Sequence, residues 1–113
     1  MLLLREVSRS GVAAILLIAA TAPAARAQDV VQGAKLAERY CARCHAIGTT
    51  GVSPHPSAPP FRTIAAKGHV DDLQEALAEG ITVGHPDMPE FKFAPEQVAN
   101  FLAYLKGLAP SRR

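Results

Sequence analysis

Cys41-Ala42-Arg43-Cys44-His45 is the stretch on which the reading of this chain turns. It has the form C-x-x-C-H, the attachment signature of c-type haem. Two thiols three positions apart on a helical turn can reach the two vinyl groups on one edge of a porphyrin and clamp it through thioethers. His45, next to the second cysteine, then projects its imidazole under the iron, and neutral imidazole is a good haem ligand. Two other chemistries use paired cysteines. A redox-active thiol pair needs a strand-then-helix setting, and no strand precedes Cys41. A zinc site needs further ligands, and the chain has no second cysteine pair.

The residues ahead of this motif read as a leader. Arg5 and Arg9 give a positive start, residues 11–20 are apolar or small, and Ala25-Arg26-Ala27 has the small-x-small form of a signal peptidase site. The apolar run falls short of the roughly 20 residues needed to span a bilayer. The expectation is therefore a signal peptide over 1–27, cut after Ala27, export to the periplasm, and a single domain over 28–113. Cleavage leaves 86 of the 113 residues. It takes away three of the twelve basic residues (Arg5, Arg9, Arg26) and one of the ten acidic ones (Glu6), leaving nine of each. The pI of 8.7 thus owes much to the leader and supports no nucleic-acid or DNA partner.

A chain of that size is marginal for a core of its own. A disulfide between Cys41 and Cys44 would close too short a loop to restrain much of it. A large apolar cofactor would supply what is missing, and two cysteines consumed as thioethers leave no free thiol in an oxidising compartment.

Helical periodicity places a first helix from residue 30 to about 44, with Val30, Ala34, Ala37 and Cys41 on one face and Asp29 as N-cap. Residues 46–60 carry two glycines and four prolines and read as loop. Short helices follow over 61–67, stopped by Gly68, and over 71–79, with Leu73 and Leu77 paired and Gly80 at the end. Residues 81–94 form a second loop. Pro95 and Glu96 open a last helix with Val98, Phe101, Leu102, Leu105 and Leu108 as its buried stripe.

The mature chain holds one methionine, Met88, inside His85-Pro86-Asp87-Met88-Pro89. A lone methionine is often core filler on a helix face. This one lies in a turn between two prolines, which could hold its thioether on the iron opposite His45. His55, His69 and His85 are the rivals, His85 foremost.

In the order of these features the chain resembles the class I c-type cytochromes over essentially its whole mature length. Gly33, eight residues before Cys41, matches the family glycine where first and last helices cross. Phe101 and Ala103-Tyr104-Leu105-Lys106 resemble the partner stretch. Pro59, in Ala58-Pro59-Pro60-Phe61, resembles the proline whose carbonyl accepts the proton of the ligating histidine, with Pro60 as the alternative. The resemblance implies an all-α fold: a small cytochrome c-like bundle of three to five short helices around one covalent haem c and its iron. Ala37 departs from the pattern, standing where many members carry an aromatic. No tryptophan is present to hold a propionate, for which Arg62, His55 or a backbone amide are the substitutes.

His45 and Met88 together would leave no open position on the iron, which suits a one-electron carrier rather than an enzyme. Its partners would be redox proteins: a dehydrogenase, a membrane oxidoreductase, or a terminal oxidase or reductase. The carrier would be a monomer or a transiently docked subunit, with Ala42, Arg43, Ala46 and the Met88 rim as its docking face. The competing expectations are a haem protein with an open iron site, peroxidase-like or gas-binding, and a thiol–disulfide protein without haem.

Overall fold

A computed structural model describes residues 14–20, 28–80 and 87–111. Among them there are four α-helices and no strand: α1 (Val30–Tyr40), α2 (Phe61–Ala66), α3 (Leu73–Glu79), entered through a 3₁₀ turn at Val70–Asp72, and α4 (Pro95–Gly107). No helix among the described residues is long and apolar enough to cross a membrane. The anticipated cleavage site, His85 and the two terminal arginines lie outside the described residues.

Asp29 opens α1 by accepting the Gln32 N–H on its carboxylate at 3.1 Å, which satisfies one of the orphan donors of the first turn. The helix ends at Tyr40 rather than near residue 44. Cys41 and Ala42 both donate N–H groups to the Ala37 carbonyl, and Cys44 and His45 both donate to the Cys41 carbonyl, so the chain tightens into turns as it passes through the motif. The buried face of α1 also differs from the expected stripe. Gly33 and Ala37 are buried, whereas Val30 is half-exposed.

Helix α4 begins with Pro95, whose missing N–H costs nothing at that position. Just before it, the Ala94 N–H donates to Gln97 Oε1 at 2.9 Å. Its buried residues include Val98, Phe101, Leu102 and Leu105 of the expected stripe, and also Asn100, whereas Leu108 at the helix end is only partly buried. Helix α3 closes on Gly80, whose φ of +78° is the left-handed conformation glycine adopts without penalty.

The two terminal helices cross at Gly33. A Cβ there would run into the Asn100 carbonyl oxygen and would lie 2.8 Å from the Tyr104 Cβ, so only glycine permits this approach. The Asn100 side chain fastens the same corner by accepting the Asp29 N–H at 2.8 Å, an arrangement that satisfies a buried polar group.

The core consists of Ala37, Phe61, Ala65, Val70, Phe93, Val98, Phe101, Leu102 and Leu105. Ala37 is fully buried, and the aromatic packing is supplied by other positions. Phe93 meets Phe101 at 6.1 Å and Tyr40 at 5.5 Å, while Phe91 meets Tyr40 at 5.7 Å. Around this core Leu36, Cys41, Ile47, Ile64, Leu73, Leu77 and Phe91 are only partly covered. So small a core, rimmed by half-exposed apolar groups, is what a fold looks like when a large apolar group belongs at its centre.

Candidate haem-attachment site

The motif lies in the turns that follow α1, and the two residues after it are pinned by three hydrogen bonds. The Ala46 N–H donates to Ser53 Oγ at 3.0 Å. The Ala46 carbonyl accepts the Phe61 N–H at 2.9 Å. The Tyr104 hydroxyl reaches from α4 to the Ile47 carbonyl at 2.6 Å. His45 is thus fixed by the α1 turn on one side and by a buried, fully bonded Ala46 on the other. Burial removes Ala46 from the expected docking face; Arg43 is exposed and Ala42 half-buried.

His45 Nδ1 lies 2.8 Å from the Pro59 carbonyl oxygen. A carbonyl can only accept, so the proton resides on Nδ1 and the lone pair on Nε2 is left for a metal. The Pro60 carbonyl is occupied elsewhere, accepting the Thr63 and Ile64 N–H groups of the first turn of α2. The imidazole also packs against Phe61 at 5.2 Å, and Phe61 meets Phe101 edge-on at 5.7 Å, so the ring is seated on the core.

Cys41 and Cys44 are both free and half-buried. Burial, together with the neighbouring Cys44, pushes the Cys41 thiol up to about 12. Reactive C-x-x-C pairs do the opposite, since their thiols are poised by a lowered pKa. Among the described residues no three His, Cys, Asp or Glu side chains gather into a group that could hold a metal ion.

Met88 is half-buried in a turn with Asp87. A short relay connects that turn to the motif: Asp87 Oδ2 lies 3.6 Å from His55 Nε2, and the His55 N–H donates to the Cys44 carbonyl at 3.0 Å. Of the rival histidines, His55 is engaged in this relay and receives the Ser57 N–H on Nδ1 at 3.1 Å. His69 is largely exposed beside Asp72. Arg62 carries one buried guanidinium nitrogen with no hydrogen-bond partner.

Paired thiols, an imidazole with a free Nε2 and an incomplete apolar core all fit a covalently held haem. Sequence reasoning missed Asn100, Ser53 and the Tyr104 hydroxyl. The partners of Asn100 and Tyr104 lie 71 and 57 residues away in the chain and that of Ser53 only 7, and only the tyrosine had a signal, in its place on the resembled stretch.

Comparison with known proteins gives the class. The cytochrome c family profile matches residues 30–109. The chain is 31% identical over 100 residues to cytochrome c-552 of Bradyrhizobium diazoefficiens, covering 88% of this chain and 94% of that protein. It is 33% identical over 94 residues to cytochrome c6 of a Picosynechococcus strain, covering 77% of this chain and 80% of that one. No solved structure gives a significant match. The chain belongs to the cytochrome c family, and is a c-type electron-transfer protein with covalently bound haem c and its iron.

Proposed function

We propose that this chain is exported to the periplasm, loses residues 1–27 after Ala27, and serves over 28–113 as a one-electron carrier with His45 and Met88 as axial ligands. Cys41 and Cys44 would hold the porphyrin through thioethers. The observation that carries the reading is the hydrogen bond from His45 Nδ1 to the Pro59 carbonyl at 2.8 Å, which keeps the proton on Nδ1 and makes Nε2 the better donor. Haem c, when bound, supplies a one-electron couple. The residues keep that couple free of other chemistry. His45 holds one side, Met88 would close the other to outside ligands, and the thioethers prevent loss of the group between turnovers.

The relay from Cys44 through His55 to Asp87 supports Met88 as the sixth ligand, because it ties the methionine turn to the attachment turn. The partners would be redox proteins that dock briefly through a small contact: a dehydrogenase, a membrane oxidoreductase or a terminal oxidase or reductase.

Absorption spectra of the matured protein, oxidised and then reduced, test the reading. Sharp low-spin ferrous bands with a weak far-red ferric band are expected. Low-spin bands without the far-red feature would transfer the sixth position to a histidine. A high-spin spectrum, with rapid carbon monoxide binding, would mean an open iron and an enzyme or sensor.

A further inference from the structure

We propose that Gln28 is a modification site: once residues 1–27 are removed, its α-amine closes on its own side-chain amide and leaves the chain with an N-terminal pyroglutamate. This rests on the cleavage reading above. The α-nitrogen lone pair attacks the Cδ carbonyl carbon. A new N–Cδ bond forms and the Cδ–Nε2 bond breaks. The departing nitrogen takes the proton given up by the attacking nitrogen and leaves as ammonia. Nothing is oxidised or reduced, and no co-reactant is consumed. The attacking amine must be neutral, which a group titrating at about 7.7–8.0 is in part at neutral pH.

The structure makes Gln28 suited to this closure. It is exposed. The next residue is held fast: the Asp29 N–H donates to Asn100 Oδ1 at 2.8 Å and its carboxylate caps α1. Asp29 is therefore held by both its backbone and its side chain, and Gln28 is the exposed residue just before it.

The electrostatics favour the closed form. An ammonium at Gln28 would lie two residues before Val30, at the positive end of the α1 dipole, where cations are disfavoured. Gln28 borders a cleft with Asp71, Gln74 and Lys106. Asp71 on that cleft is already paired with the Lys106 Nζ at 2.6 Å, and the neighbouring Asp29 carboxylate accepts the Gln32 N–H. Closing the lactam removes the charge and leaves the helix end capped as before.

The test is mass spectrometry of the N-terminal peptide of the haem-bearing protein isolated from the exporting cell, before and after incubation at neutral pH. The expected peptide begins at residue 28, is lighter than its encoded composition by one ammonia, and takes no amine label on residue 28. The same peptide with a full-mass, labelled amine after incubation would overturn the proposal. A peptide that begins elsewhere, or retains residues 1–27, would sink the cleavage reading itself and the proposal with it. Gln28→Ala, which cannot cyclise, is expected to label completely; if it too resisted, the block would be something other than a lactam.

Discussion

At the α1–α4 crossing two helix backbones touch, whereas among the described residues the Met88 segment meets its surroundings through side chains and a backbone bond at Phe93. Gly33 lies directly on the Asn100 carbonyl, and the Asp29–Asn100 bond locks the same corner. The Met88 segment is gathered at its base where the Phe93 N–H donates to the Leu77 carbonyl at 2.9 Å. The aliphatic stem of Lys92 lies over Gly80, and the exposed Asp87 faces His55 across 3.6 Å. The crossing and the His45 side are held by contacts within the chain. On the proposed ligation the methionine side has one further contact, the iron. One half of the site is a frame and the other a closure, and substitutions should separate them.

The largest effect is expected from Gly33→Ala. The added methyl meets backbone, which cannot rotate away, so the helices must separate. A loss of about 3 kcal/mol is expected, at or beyond the upper end for overpacking and a large part of a small domain's stability. Chemical denaturation of the haem-bearing protein measures it; a loss below about 1 kcal/mol would mean that the crossing yields.

Met88→Ala comes next and should act on the other half. It is expected to abolish the far-red ferric band and admit carbon monoxide to the ferrous form, while the fold persists on the His45 side. Stopped-flow mixing reads the ligand binding. Unchanged binding and potential would rule out Met88 as ligand.

Gly80→Ala should cost about 1–2 kcal/mol, from the left-handed φ and from a Cβ that would lie 3.0 Å from Lys92 Cγ. Gly80→Asn should cost less of the conformational part, since asparagine tolerates this region. Weakening of the far-red band in the alanine variant, compared with the asparagine one, would connect the base of the segment to the seating of Met88.

The smallest effect is that of Tyr104→Phe, about 1 kcal/mol for a hydrogen bond whose carbonyl partner is only partly buried. Burial raises the Tyr104 phenol above its usual value near 10. The folded chain therefore keeps its proton where the unfolded chain has lost it. This contribution is complete below about pH 10 and is lost as pH rises through the folded value. The variant should show a shallower alkaline decline in melting temperature than the parent.

How much of this was legible depends on the range of each interaction. The C-x-x-C-H signature, Pro95 at the head of α4 and Gly80 at the end of α3 are local patterns, and each could be read directly. Gly33 was legible through resemblance, and the structure gives its reason in the Asn100 carbonyl. The early end of α1 was not legible, because the carbonyls of Ala37 and Cys41 each take two donors and no residue type announces that. Nor was the choice of carbonyl beside His45, since it depends on α2 consuming that of Pro60. The relay through His55 to Asp87 joins residues 32 apart, a separation at which sequence carries no pairing signal. Ala37 is the instructive departure: Tyr40, Phe91 and Phe93 provide rings from elsewhere.

The partner of His45 Nδ1 also bears on protons. Had the acceptor been a carboxylate, the imidazole proton could shift to it whenever the charge on the far nitrogen changed, and electron transfer would be accompanied by proton movement. A proline carbonyl has no such capacity; it polarises the ring yet leaves the proton where it is. On the proposed ligation, oxidation and reduction at this histidine are uncoupled from its protonation, so the carrier can meet donors and acceptors at different local pH without His45 making its driving force depend on it.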